Sequence, residues 1–208
     1  MMQQMKIKFI SLKPVRALAV GALVALTACA QDPVPQDQFY RLNLPTTSNA
    51  AGPKFNGVVE VERLIADGLI DSRPILFTAS AKSAEVQSYH YHFWTEPPSI
   101  MLQKAVTAKL RQANAAKSIV TPNLRIEPDF ILSGKILRFE QIVGSANKVV
   151  ISLELSLKNA KLEQLIHLDT YTVELPSQNA SVGSAVAAFS LGVDKILSAF
   201  LNDLNGKV

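Results

Sequence analysis

The most regular strand pattern in the chain is NKVVISLELSLKN, residues 147–159. Apolar and polar side chains alternate along it, so the two sets face opposite ways. The apolar set is Val149, Ile151, Leu153, Leu155 and Leu157, and the polar set includes Ser152, Glu154, Ser156 and Lys158. This alternation predicts a long strand with one face in a core and the other in water.

Two more strand-like stretches flank this one, DFILSGKILRFEQIVG (129–144) and KLEQLIHLDTYTVEL (161–175). Turn-like GSAN (144–147) and KNAK (158–161) separate the three stretches, which predicts an antiparallel meander. In the third stretch the alternation shifts phase between Leu168 and Tyr171, which predicts a β-bulge at that point.

Two other stretches have the spacing of threes and fours that is typical of amphipathic helices. In residues 99–117 the apolar face is Leu102, Val106, Leu110 and Ala113, and in residues 181–207 it is Val182, Val186, Phe189, Val193, Ile196, Phe200 and Leu204. The first helix follows two prolines, with Thr95 or Glu96 as the expected cap. Lys109 lies beside the apolar face and should extend its amine to the edge of the helix.

Shorter strand patterns precede the first helix, at residues 39–42, 57–64, 75–80 and 83–94. Together with the meander and the two helices they predict an α+β fold. In this fold a mixed, largely antiparallel sheet carries two main helices packed on one face. We expect a single domain of this kind over residues 39–208.

The first 28 residues have the layout of a secretory signal peptide. They contain four basic residues and no acidic one, followed by an apolar run at residues 17–26. Such a run covers roughly 18 Å, well short of the roughly 30 Å core of a bilayer. We therefore expect residues 1–28 to be a signal peptide and not a permanent transmembrane helix; the resemblance of LTAC (26–29) to the bacterial lipobox implies cleavage after Ala28.

The tetrad LTAC, residues 26–29, contains the only cysteine of the chain and resembles the bacterial lipobox. The resemblance implies that Cys29 becomes the first mature residue and carries a diacylglyceryl group, and two or three acyl chains anchor a protein firmly. Residues 29–38 then form a lipidated terminus and a short extended tether. A buried or incidental cysteine after an ordinary signal is the alternative.

Ala30 follows the cysteine, where such lipoproteins commonly carry aspartate if they stay at the inner membrane. The resemblance therefore implies an outer-membrane lipoprotein of a Gram-negative bacterium that faces the periplasm. The chain has 21 basic and 17 acidic residues, and the four basic residues of the signal account for the difference. The mature part is thus neutral, which argues against a nucleic-acid partner.

The sequence contains few arrangements that support chemistry. His90 and His92, two apart on a predicted strand, could bind a metal, but no further ligand has a convincing spacing. Paired carboxylates such as Glu60 with Glu62 fit a solvated strand face. No nucleophile elbow and no phosphate-binding glycine loop occurs. We expect no catalytic residue, no metal and no cofactor; an envelope enzyme or metal protein that uses the two histidines is the alternative.

The aromatic residues are concentrated just before the first helix. Tyr89, Tyr91, Phe93 and Trp94 are expected mainly to pack in the core. An exposed part of the group could instead bind a partner or an acyl chain, because aromatic residues are favoured at interfaces. Tyr89, Tyr91 and Trp94 are therefore the candidate partner-binding residues.

Several of these motifs, in this order, resemble the ABC-type transport auxiliary lipoprotein family. The resemblance rests on the tetrad at Cys29, on YRL (40–42), on YHYHFWTEPPSIMLQKAVTAKL (89–110), and on YTVELP (171–176) before the alanine-rich last helix. Thr95 departs from the small residue that often follows the tryptophan.

The family resemblance implies a non-enzymatic role in an ABC-transporter or MCE-type system that moves lipids, with phospholipid as the expected cargo. The chain would dock an MCE-domain protein at the outer membrane. A structural or peptidoglycan-associated envelope lipoprotein is the alternative function.

Overall fold

The structure is a computed structural model that describes residues 34–46, 54–80, 82 and 84–205. The predicted signal peptide, Ala28 and Cys29 lie outside these residues. One compact unit spans Asp37–Val208, and it contains every strand and helix of the described part of the chain.

The described residues form nine strands and two main helices, which confirms the predicted α+β class. In chain order they are β1 (Gln38–Tyr40), β2 (Phe55–Val61), β3 (Ile65–Ala66), β4 (Pro74–Ala79), β5 (Val86–Trp94), α1 (Pro98–Gln112), β6 (Ala116–Val120), β7 (Phe130–Val143), β8 (Lys148–Asn159), β9 (Gln164–Pro176) and α2 (Val182–Asp203). Short 3-10 turns lie at Gly68–Asp71 and Pro122–Leu124.

Strand β7 holds the sheet together. Along one edge it pairs antiparallel with β8 over nearly its full length, and β9 pairs antiparallel with β8 in turn. The other edge is shared by three strands that run parallel to β7: β2 beside residues 130–132, β3 beside 135–136 and β4 beside 140–143. The sheet is therefore mixed, with long antiparallel pairs and short parallel ones, and the predicted meander is β7, β8 and β9.

The bulge in β9 is not where the sequence places it. Pairing with β8 is regular from His167 to Pro176, so the expected shift between Leu168 and Tyr171 is wrong. The register shifts at Ile166 instead, because His167 lies opposite Leu157 and Leu165 lies opposite Lys158. Leu168 keeps the normal alternation but points away from the helices and is 52% exposed.

Helix α2 packs on β8 and β9 through the predicted apolar stripe. It lies close to the sheet at Gly192, where an added Cβ would lie 2.5 Å from Cδ1 of Ile151. By length and composition α2 could cross a membrane, but in this structure its apolar stripe is buried on the sheet.

Helix α1 packs on β2, β3 and β6. The predicted apolar face is confirmed, with Leu102, Val106 and Leu110 buried and Ala113 packed against the same core. Neither expected residue caps the helix: Pro97 is the N-cap and makes no side-chain cap hydrogen bond. Proline is tolerated there because the first helical amides need no partner within the helix.

The prediction for the fold concerns Gly134, in the middle of β7. A Cβ at this position would lie 2.7 Å from the backbone oxygen of Glu154 and 2.9 Å from Cδ2 of Leu155 on β8. Backbone cannot move aside as a side-chain tip can, so Gly134→Ala should lower the free energy of unfolding by about 2 kcal/mol.

The matched control for that prediction is Gly183→Ala in the first turn of α2, where nothing lies within 4 Å of an added Cβ. Urea unfolding of both variants measures the difference. Equal stability of Gly134→Ala and the unsubstituted protein would contradict the close contact between β7 and β8.

Candidate functional site

β1 and the residues that follow it, which come directly after the predicted tether, are hydrogen-bonded to the rest of the domain at several points. β1 pairs parallel with the end of β5, with Phe39 opposite Phe93. The backbone oxygen of Tyr40 accepts a hydrogen bond from the amide of Thr95 at 2.8 Å. The amide of Asn43 donates to Oγ of Ser190 on α2 at 3.1 Å. The domain is thus held tightly from its first strand, at the edge of the sheet formed by β1.

Of the three candidate partner-binding residues, Trp94 is buried and Tyr89 is half-buried. Trp94 is 1% exposed, and its ring contacts Phe139 of β7 and Phe189 of α2 at centroid distances of 5.4 and 5.5 Å. Tyr89 is half-buried, with its ring 4.4 Å from that of Phe77. Burial of Trp94 leaves it no surface to offer a partner.

The hydroxyl of Tyr89 donates to Oε1 of Gln141 at 3.1 Å, and burial raises the pKa of this tyrosine. Gln141 is fully buried, and its side-chain amide donates in turn to the backbone oxygen of Ala180. Tyr89 therefore satisfies a buried amide, and its role in this structure is to connect β5 with β7.

Residues 89–94 of β5 form an aromatic block. Its exposed part forms a surface with β1, which we call the aromatic edge: Phe39, Arg73, Tyr91 and Phe93. Phe39 is 54% exposed and Tyr91 is 41% exposed. The Phe39 and Phe93 rings lie 5.8 Å apart, and the Arg73 guanidinium lies 5.3 Å from the centre of the Phe39 ring. Nε of Arg73 also donates to the backbone oxygen of Trp94 at 3.1 Å, so this surface is held in place.

The two histidines of the aromatic block have different surroundings. His92 is partly buried, and its Nδ1 lies 3.0 Å from the hydroxyl of Tyr40, which also donates to Gln38. Burial raises the pKa of Tyr40. His90 is exposed beside Tyr91. Among the described residues no group of three His, Cys, Asp or Glu side chains could hold a metal ion.

A groove of about 480 Å³ lies between the segment after β1 and helix α1. Its walls are lined by Arg41, Leu42, Leu44, Thr95, Glu96, Met101, Lys104, Ala105, Ala108, Lys109 and Gln112. Lys109 was expected to extend its amine to the edge of the helix, but it does not. Its side chain is 8% exposed, and Nζ lies 2.5 Å from Oδ1 of Asp194 on α2. The two helices are therefore joined by a buried ion pair.

A second exposed apolar surface lies at the end of the β8–β9 hairpin, and we call it the hairpin end. It consists of Leu162, Leu165 and Leu168, which are 52–70% exposed. The bulge at Ile166 lets Leu165 and Leu168, three residues apart, face the same side of β9. Sequence reasoning missed this surface because the bulge that creates it was placed in the wrong position.

The comparisons with known proteins concern most of the described domain. A family model described as ABC-type transport auxiliary lipoprotein component matches residues 40–199. The fold is similar to the crystal structure of protein XCC0632 from Xanthomonas campestris, of the family DUF330, with a TM-score of 0.70 and 22% identity over 79% of this chain and 92% of that chain. It is also similar to an uncharacterized protein with a TM-score of 0.66 and 17% identity over 82% of this chain and 100% of that chain. A search of curated proteins gives no match.

The prediction for this region concerns the ion pair between the helices. Lys109→Met leaves the Asp194 carboxylate largely buried without its partner, and should lower the free energy of unfolding by about 3 kcal/mol. The double variant Lys109→Met, Asp194→Leu removes both charges and should recover most of that loss.

Lys104→Met is the control, because Lys104 lines the same groove but pairs with Glu96 at the surface, where the side chains are 64% and 37% exposed. Its effect should stay within about 1 kcal/mol. Urea unfolding followed by circular dichroism compares the variants. Similar losses for the Lys109 and Lys104 variants would contradict a buried pair.

Proposed function

Because the chain belongs to the ABC-type transport auxiliary lipoprotein family, we propose that it is a non-enzymatic, periplasm-facing lipoprotein of the outer membrane. Signal cleavage after Ala28 leaves Cys29 as the acylated first residue, and residues 29–38 tether a single domain. The domain serves an ABC-transporter or MCE-type system that moves lipids, with phospholipid as cargo, and it acts by binding an MCE-domain protein. The family match over residues 40–199 is the observation that carries this proposal.

The position of the first strand limits how far the domain can lie from the proposed anchor. Cys29 stands nine residues before Gln38, where β1 begins. An extended segment of that length spans at most roughly 30 Å. The edge of the sheet that carries β1 therefore stays within this distance of an acylated Cys29.

The hairpin end supports a role in binding a partner. Three leucines of the hairpin, each more than half exposed, form an apolar surface of the kind that marks interaction sites. Lys161 lies beside it, paired with Asp129 at 2.6 Å, so the apolar surface has a polar rim. Apolar centres with polar rims are typical of protein–protein interfaces. We assign the contact with the MCE-domain partner to this end.

The anchor is tested by fractionating cells of a Gram-negative host that express the full-length protein. The unsubstituted protein should fractionate with the outer membrane, and Cys29→Ser should leave it, because serine cannot take the thioether-linked lipid. Thr27→Ser is the control, since it preserves a small residue before the cleavage site and should not change the location. A Cys29→Ser protein that stays with the outer membrane would contradict the anchor.

The partner is tested by placing a photo-crosslinking amino acid at Leu162 in the lipidated protein. Crosslinking should capture the MCE-domain protein of the same system. The same amino acid at Lys195, which is exposed on α2, serves as the control and should capture none. Sedimentation with isolated cell wall, together with no MCE crosslink from Leu162, would instead support the alternative of a structural or peptidoglycan-associated lipoprotein.

A further inference from the structure

The aromatic edge exposes Phe39, Tyr91 and Arg73, and Arg41 is exposed two residues after Phe39. Phe39, the most exposed aromatic residue of this surface, has more than half of its side chain in solvent. We propose that this surface lies in the headgroup region of the membrane that carries the lipid anchor. The inference rests on the proposed function in one respect, the acylation of Cys29.

The chemistry of the surface fits a lipid interface. Aromatic side chains are enriched where a membrane meets water, because their rings tolerate the boundary between apolar chains and polar headgroups. Phe39 and Tyr91 supply exposed rings on neighbouring strands. The rest of the block cannot substitute for them, since Trp94 is enclosed between β7 and α2.

The charges on the surface fit phosphate. Arg41 and Arg73 are both exposed, and neither has an acidic ion-pair partner among the described residues. Asp37 and Asp71 are the acidic residues nearest in sequence to this surface. Asp71 pairs with Arg63, and Glu96 pairs with Lys104. Guanidinium groups bind phosphate through two parallel hydrogen bonds, so Arg73 beside the exposed rings and Arg41 close to them in sequence, both exposed and without an acidic partner, match phospholipid headgroups.

The attachment of the tether to β1 distinguishes this surface from the hairpin end. β1, which carries Phe39, is the strand joined directly to the tether, within roughly 30 Å of Cys29. Phe93 of β5 pairs with Pro74 of β4. Leu76, two residues further along β4, pairs with Glu140 of β7, so Phe93 is level with about residue 138 of β7. Across β8, Leu165 is level with Ile131 of β7 and Leu168 is level with Ser133. About five to seven residues of β7, roughly 17–23 Å, therefore separate the two surfaces along the strand. The short tether thus favours the aromatic edge for the membrane and leaves the hairpin end for a partner.

The test uses the lipidated mature protein in vesicles of phosphatidylethanolamine and phosphatidylglycerol. Cys29 is the only cysteine and its thiol is blocked by the lipid, so a cysteine introduced by Tyr91→Cys is the only site for a spin label. Collisions with oxygen, which concentrates in the bilayer, are compared with collisions with a water-soluble nickel complex. Leu162→Cys at the hairpin end is the matched control, because Leu162 is 70% exposed.

We expect the label at position 91 to collide more with oxygen than with the nickel complex, and the label at position 162 to show the reverse. Replacing phosphatidylglycerol with phosphatidylcholine, or Arg41 with Gln, should shift the label at position 91 toward water. Phe39→Cys provides a second labelling site on the same surface if Tyr91→Cys fails to fold.

Two results would overturn the inference in different ways. If the protein floats with the vesicles but labels at positions 39 and 91 are as water-exposed as the label at 162, the membrane contact is wrong and the anchor stands. If the protein does not float with vesicles and Cys29 reacts with the spin label, the anchor fails, and the membrane contact fails with it.

Discussion

The hydrogen bonding of strand β7 is the constraint on which the rest of the structure depends. Buried backbone groups must be paired on both edges of a central strand. β8 pairs with one edge over nearly its full length, while β2, β3 and β4 divide the other edge among them. Each of these strands brings its own neighbours, so the two ends of β7 carry different parts of the protein. The end near β4 carries β5 and β1, and the end near β2 carries β6 and lies beside the β8–β9 hairpin.

Because different strands pair with the two ends of β7, the aromatic edge and the hairpin end lie at different ends of the strand. At the first end, β1 and β5 present the aromatic edge where the chain leaves its tether. At the other end, the hairpin presents leucines that no element of the described chain covers. Between them, Phe139 of β7 packs against Phe189 of α2 at a centroid distance of 4.5 Å, and the Lys109–Asp194 pair joins α2 to α1. In the proposed function, the aromatic edge faces the membrane and the hairpin end faces the partner, so the domain would link the lipid anchor to a transport complex.

Features that depend on local pattern could be predicted from the sequence. The alternation in residues 147–159 correctly gave β8, and the spacing of the last helix correctly gave the stripe that α2 buries. The parallel pairing of β2, β3 and β4 with β7 could not be predicted, because short strands carry no signal that identifies a distant partner. Lys109 was expected to extend its amine to the helix edge. Its buried partner could not be identified from the sequence, because Asp194 lies 85 residues further along the chain.

At the candidate site, too, the sequence could not show which aromatic residues are buried and which are exposed. The composition of the aromatic block indicated both core and surface roles, but only the structure separates buried Trp94 from exposed Tyr91. The register of β5 against β4 shifts between Ser88 and Phe93, so simple alternation fails within this strand. Phe39, which completes the exposed surface, belongs to β1 (Gln38–Tyr40); the sequence predicted a strand at 39–42, which overlaps β1, but did not identify its partner.

The central claim is that this domain works by contact while held to a membrane through Cys29. Mass spectrometry of the amino-terminal peptide of the protein, purified from a Gram-negative host, tests it most directly. The account predicts a chain that begins at Cys29 with a diacylglyceryl group on the sulfur and a further acyl chain on the amine. A peptide that begins at methionine, or a mature chain with an unmodified cysteine, would contradict it.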